Sequence, residues 1–149
     1  MDNRRYPERP IVGVGAVLFD AGRVLLVERA RPPLQGLWSL PGGVVEAGEP
    51  LAEALHREIR EETNLEIRIL DIVEVFERIV RDAGGRAEYH YVLIDYICEK
   101  TGGELRPGDD VSAARWAERD HLSDYPLTDG LLPVIEKAYD LRDRFILSV

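Results

Sequence analysis

Cysteine is almost absent from this chain: Cys98 stands alone, which excludes a fold stapled by internal disulfides. It lies in an apolar run and reads as a small buried hydrophobe, which makes the cytoplasm the default compartment. Long hydrophobic runs are missing as well. No stretch approaches the about 18 apolar residues of a membrane-spanning helix, and the start, Met1-Asp2-Asn3-Arg4-Arg5-Tyr6-Pro7, lacks the apolar segment of a signal peptide. Positive charge is scarce too, with 19 Lys and Arg against 28 Asp and Glu, a net charge of −9. A nucleic-acid binder shows a basic face, whereas most of this surface would repel a phosphate backbone. An acidic protein that handles phosphate must solve the problem locally, with a metal ion or a small basic pocket. No repeat, low-complexity tract or linker is evident. What is there is ordinary: 45% hydrophobic and 32% charged residues over 149 positions, a globular composition. The length is about that of one domain and allows a core without disulfides or structural metal. Residues 1–149 are therefore expected to form a single domain.

The local pattern alternates strands with two helices. Ile11 to Phe19 reads as a strand whose Gly13 and Gly15 imply close backbone approach. Asp20-Ala21-Gly22 is a turn and Arg23 to Glu28 a second strand, so the pair predicts a hairpin. Arg31 to Gly43 is loop-like, rich in proline and glycine. Pro50 to Thr63 reads as a helix: Leu51, Leu55 and Ile59 form an apolar stripe, Pro50 suits the first turn, Glu49 suits the positive end of the dipole and Asn64 suits a left-handed cap. Ile67 to Val80 and Ala87 to Cys98 are strands around the turn Asp82-Ala83-Gly84-Gly85. Thr101-Gly102-Gly103 and Pro107-Gly108-Asp109-Asp110 are further turns, Ala113 to Ala117 is a short strand, and Leu131 to Phe145 is a closing helix. Strands around two separated helices predict an α/β domain with a mixed sheet between helical layers.

The informative segment runs from Gly43 to Leu65. Glu58 lies three residues from Glu61 and four from Glu62, so these acids are neighbours on the helix surface and repel by a few tenths of a kcal/mol per pair. A hard divalent cation reverses that penalty, because it takes oxygen ligands and keeps room for waters and phosphates. Gly42 and Gly43 carry no side chain, so their carbonyls can approach a metal. Arg57, adjacent to Glu58, cannot share its face; it can turn back to Glu49 or Glu46 and pin the loop to the helix. Taken alone, Glu61 or Glu62 reads as part of a solvated face. The full spacing does not, since six specified residues coincide by chance on the order of 10⁻⁷ per starting point.

That spacing resembles the signature box of the Nudix hydrolases: Gly, five residues, Glu, seven residues, Arg-Glu, apolar, any, Glu-Glu, any, Gly, apolar. The chain matches at Gly43, Glu49, Arg57, Glu58, Ile59, Glu61, Glu62 and Leu65, and departs once, with Asn64 for Gly. The box spans 23 residues, and the element order of the remaining chain agrees. The resemblance implies an α/β/α sandwich with a mixed sheet. It implies that Glu58, Glu61 and Glu62 hold one or more Mg²⁺ ions, with Mn²⁺ as the alternative, together with the Gly43 carbonyl. Glu58 or a neighbouring Glu would orient or deprotonate the attacking water, and Arg57 would hold the loop through Glu49. Water would attack one phosphorus of a nucleoside diphosphate derivative, with ADP-ribose the favoured type. One rival is a (d)NTP pyrophosphohydrolase that releases a monophosphate and pyrophosphate. Another, of a different class, is a non-catalytic nucleotide-binding module. The partner is thus a small nucleotide, with no nucleic acid or membrane. The apolar first strand permits a homodimer, as in many relatives, and a monomer equally.

Outside the box, Arg29 and Arg31 end the second strand and can clamp phosphate oxygens; a plain surface arginine competes. Relatives place an extra carboxylate in the loop holding Asp109 and Asp110. This groups Asp110 with the substrate-facing residues, as metal ligand or base, against a simple turn role. Glu104 is a weaker candidate. Trp38, Phe76, Tyr89 and Tyr91 stack on a base or sit in the core. His56 and His90 lack metal-ligand spacing and read as structural, and His121 reads as the start of a helix on the surface.

Overall fold

The computed structural model describes residues 4–147, with the side chains of residues 146 and 147 left aside; Met1–Asn3 and the last two residues of the expected 1–149 domain lie outside the described residues. In chain order the elements are β1 (Ile11–Asp20), β2 (Arg23–Arg29), β3 (Trp38–Ser39), β4 (Gly42–Val44), α1 (Leu51–Thr63), β5 (Leu65–Arg81), β6 (Ala87–Gly103), β7 (Val111–Ala117), a 3₁₀ turn (Arg119–Asp124) and α2 (Leu131–Leu147). The main path of the sheet is β3-β2-β1-β6-β5, with β7 added to β2 and β4 added to β1. β1 runs parallel to β6 and every other pairing is antiparallel, so the sheet is mixed.

β1 is buried almost without interruption from Gly13 to Phe19, as a strand covered on both faces must be. Its even-numbered residues Val14, Ala16 and Leu18 pack with Leu55 and Ile59 of α1. Its odd-numbered Val17 and Phe19 pack with Ile135 and Tyr139 of α2. Helix, sheet and helix form the sandwich expected from the sequence. The pairing of β1 positions the site. β2 is paired with β1 at Phe19 and Asp20, while Gly13 to Gly15 pair with β4. The sheet therefore forks, and a cleft opens at the fork.

Several boundaries differ from the sequence reading for physical reasons. The loop 31–43 contains β3 and the start of β4, strands too short to show a period. Pro50 is not in the first helical turn: it is the extended residue before α1, with ψ 148°. Thr101-Gly102-Gly103 is not a turn but the end of β6, paired with Leu65 and Glu66. Gly103 adopts φ 87°, and a Cβ there would strike the Asn64 carbonyl, so this glycine serves close approach inside a strand. The 3₁₀ turn was not anticipated, although His121 was placed at a helical start on the surface. Cys98 is fully buried, and burial pushes its thiol up to about 12.

Candidate active site

Arg57 is the hub of the box. Its Nε and Nη2 donate to the two oxygens of Glu49 at 2.7 and 2.9 Å, Nη2 also donates to the Val44 carbonyl at 3.0 Å, and Nη1 reaches Glu58 at 2.8 Å and Glu61 at 3.3 Å. Glu49 further accepts the Glu46 N–H at 3.1 Å. Arg57 thus turns back to Glu49, fastening the loop to α1. The expectation that it cannot meet Glu58 is corrected, because a guanidinium at the end of its long stem reaches around the helix. The fork-on-fork contact holds the Glu49 carboxyl down to about 2 and raises Arg57.

The sign of the resulting acid sensitivity follows. A carboxyl depressed from the ordinary 4.5 to about 2 stabilises the fold above pH 4.5, and that contribution is lost as pH falls toward 2. Glu49→Gln should therefore be less stable than the parent at neutral pH, with the two melting temperatures converging on acidification. Parallel curves of Tm against pH would show that the pair contributes nothing to stability.

Glu58 is tucked against β4: a Cβ built on Gly43 would run into its carboxylate. Burial raises its pKa, and Arg57 opposes that shift. Glu62, one turn further along α1, also faces β4 and accepts the Gly42 N–H at 3.2 Å. Burial pushes it up to about 8; Gly42 and Arg29 oppose, while Glu58 and Asp110 add to the rise. Glu61 is 59% exposed and leans on Arg57. Among the described residues, no three Asp, Glu, His or Cys side chains are already gathered closely enough to hold a metal ion. Arg57 draws Glu58 and Glu61 to itself, and the Gly42 amide holds Glu62.

The end of α1 also places the outer wall. Asn64 takes the left-handed conformation, φ 63°, and its N–H bonds the Arg60 carbonyl at 2.9 Å. Its side-chain amide donates to the Glu104 carbonyl at 2.9 Å, a tie that glycine could not make. Arg106 and Gly108 then donate their N–H groups to the Thr63 and Glu62 carbonyls. This brings Asp110 to the rim, where Arg31 Nε meets it at 2.8 Å with both side chains exposed. Glu104 lies outside the cleft lining.

The cleft measures about 1270 Å³. Arg29, half-buried, donates its Nε to the Pro33 carbonyl at 2.8 Å; burial lowers its pKa. Phe76, Tyr89 and Tyr91 line the cleft, and the rings of Tyr89 and Tyr91 are stacked at 6.4 Å. Trp38 is instead core, edge-on to Tyr125 at 5.1 Å. None of the three histidines lines the cleft; His90 bonds Glu77 at 3.2 Å. Among the lining residues that escaped the sequence reading, Arg78 and Asp95 carry charge on the β5–β6 hairpin. Arg78 lies over the Phe76 ring at 5.8 Å and shares its face of β5. Asp95 is a buried acid on β6. The signal for Asp95 was available: it is a lone charge inside Val92-Leu93-Ile94-Asp95-Tyr96-Ile97.

The chain belongs to the Nudix family: the model of the NUDIX domain matches residues 9–138. An ADP-ribose pyrophosphatase of Methanocaldococcus jannaschii is 36% identical over 113 residues, 76% of this chain and 64% of that protein. An 8-oxo-dGDP phosphatase of Danio rerio is 35% identical over 71% of this chain and 31% of its own length. The chain thus spans less than two thirds of either relative. The crystal structure of a MutT NUDIX hydrolase from Burkholderia pseudomallei superposes with a TM-score of 0.76 at 35% identity, covering 87% of this chain and 98% of that one. No helix among the described residues is long and apolar enough to cross a membrane.

Proposed function

We propose that the chain is a Mg²⁺-dependent pyrophosphohydrolase that cleaves a nucleoside diphosphate derivative of the ADP-ribose type within one Nudix domain. The observation that carries this reading is a separation of unpaired opposite charges across one cleft. On one wall, Glu62 is half-buried with no basic group within ion-pair distance among the described residues. On the other, the half-buried Arg29 and Arg78 have no carboxylate within ion-pair distance among the described residues; burial lowers the pKa of both, and Arg29 adds to the lowering at Arg78. A cation on the first wall and phosphates on the second complete both.

The donors suit a hard divalent ion. Glu58, Glu61, Glu62 and the Gly43 carbonyl offer only oxygen, and the missing Cβ of Gly43 keeps the Glu58 carboxylate against the backbone. When bound, such an ion supplies charge neutralisation at the phosphates. Arg29 and Arg78 bind phosphate oxygens, and Arg31 with Asp110 closes the rim. Glu58 or Glu61 orients the water and takes its proton, while Arg57 and Glu49 hold the loop that carries Gly43. A reducing compartment, the cytoplasm, keeps Cys98 a thiol.

The test is a panel of ADP-ribose, 8-oxo-dGDP, diadenosine polyphosphates, NADH and each (d)NTP, incubated with Mg²⁺. AMP and ribose phosphate from ADP-ribose support the reading. Release of pyrophosphate from (d)NTPs would favour the second reading, which draws on the likeness to the MutT-titled structure. No turnover on any compound, with no Mg²⁺ binding, would leave a nucleotide-binding module.

A further inference from the structure

Asp95 stands at a boundary. Its cross-strand neighbours are Gly15 on β1 and Glu74 on β5. One row further along, Val17 and Ile97 are sealed in the core beneath α2. One row back, Gly13 and Leu93 line the open cleft. Asp95 itself is 5% exposed and lines that cleft. Gly15 makes its place available, since a Cβ there would lie 2.6 Å from Oδ1 of Asp95.

No hydrogen bond or ion pair engages this carboxylate among the described residues. Arg78 is the main favourable charge and Glu74 the unfavourable one, and burial pushes the carboxyl up to about 7. Buried polar groups in native proteins are almost always paired; among the described residues no fully buried side-chain oxygen or nitrogen lacks a partner, so the oxygens of Asp95 are open to the cleft. A fold that keeps such a group on a cleft floor, and removes a side chain opposite to admit it, keeps it for a ligand.

The chemistry of that ligand follows from the surroundings. A carboxylate accepts hydrogen bonds and repels anions, so the phosphates belong at the two arginines, Arg29 and Arg78, and not against Asp95. Leu93, two residues back on β6, and Phe76, its cross-strand partner on β5, are apolar residues of the same cleft. They suit the faces of a flat ring better than a sugar, whose hydroxyls need partners on every side. We infer that Asp95 is a specificity-determining residue that accepts a hydrogen bond from the exocyclic amino group of the substrate's nucleobase, adenine in the reading above. This rests on that reading for the identity of the base alone. Hypoxanthine replaces the amine with a carbonyl, setting acceptor against acceptor.

The experiment is calorimetric binding of AMP and IMP to the full chain without metal, which needs no turnover. The parent should bind AMP at least tenfold more tightly than IMP. Asp95→Leu should bring the ratio close to one, and Asp95→Asn, whose amide still offers one acceptor, should leave an intermediate ratio. Equal binding of AMP and IMP by the parent overturns the inference without recourse to any variant, as does failure to bind either. An unchanged ratio in Asp95→Leu overturns it too. If ADP-ribose is not cleaved yet the AMP preference stands and depends on Asp95, the substrate reading falls and the inference holds.

Discussion

Glu62→Gln is expected to lower kcat by at least two decades while leaving the melting temperature unchanged or higher. The two halves of this result have one cause. Glu62 is a half-buried carboxylate whose only hydrogen-bond partner among the described residues is the Gly42 amide, so in the isolated protein its charge is a liability. Glutamine keeps the shape and the acceptor oxygen and discards the charge. During turnover the same charge is an asset worth about 2.7 kcal/mol or more of barrier, the energy equivalent of a hundredfold rate. Stability is commonly given up at functional sites in this way. Glu58→Gln should lose as much activity, but with a lower Tm, because Glu58 also satisfies Arg57. Calorimetry with steady-state kinetics on ADP-ribose decides. Near-normal rates in both variants would overturn the assignment of these acids to the reaction.

The adjacent glycines should separate stability from activity in the opposite sense. A Cβ on Gly42 would meet the Val14 carbonyl and the Gly15 Cα, which are backbone. Neither can move without breaking the β1–β4 pairing. Gly42→Ala should therefore cost about 1–3 kcal/mol, as overpacking does, or several degrees of Tm at about 2–4 °C per kcal/mol. A Cβ on Gly43 would meet only the carboxylate end of Glu58. That side chain can swing aside, so Gly43→Ala should melt close to the parent while losing about a hundredfold in kcat, the scale of a small misplacement at a reacting centre. Equal losses of Tm in the two variants would refute the distinction.

The box was legible because its constraints are local. Helix spacing sets which acids neighbour one another, and a left-handed cap demands Asn or Gly at position 64. The two helices and the long β5–β6 hairpin carry enough periodic residues to announce themselves. The fork was not legible: β3 and β4 hold two and three residues, and their place depends on a long-range choice by β1. Arg78 was hidden for a related reason. On β5 it looks like any outward charge of an alternating strand, and only the register with Tyr91 puts it in the cleft. The orientation of Arg57 toward Glu58 was missed by treating side chains as fixed to the faces of their Cα atoms.

The forked sheet has a mechanical corollary. Both walls of the cleft branch from the same strand, so its width is set by hydrogen-bond ladders and not by a hinge between two bodies. Ligands should therefore meet a preformed slot, with backbone shifts below about 1 Å between free and bound states. The adaptable parts are the outermost side chains, such as Arg31 and Asp110, each about 70% exposed. Changing what the slot accepts thus calls for new side chains along its floor more than for longer or looser loops.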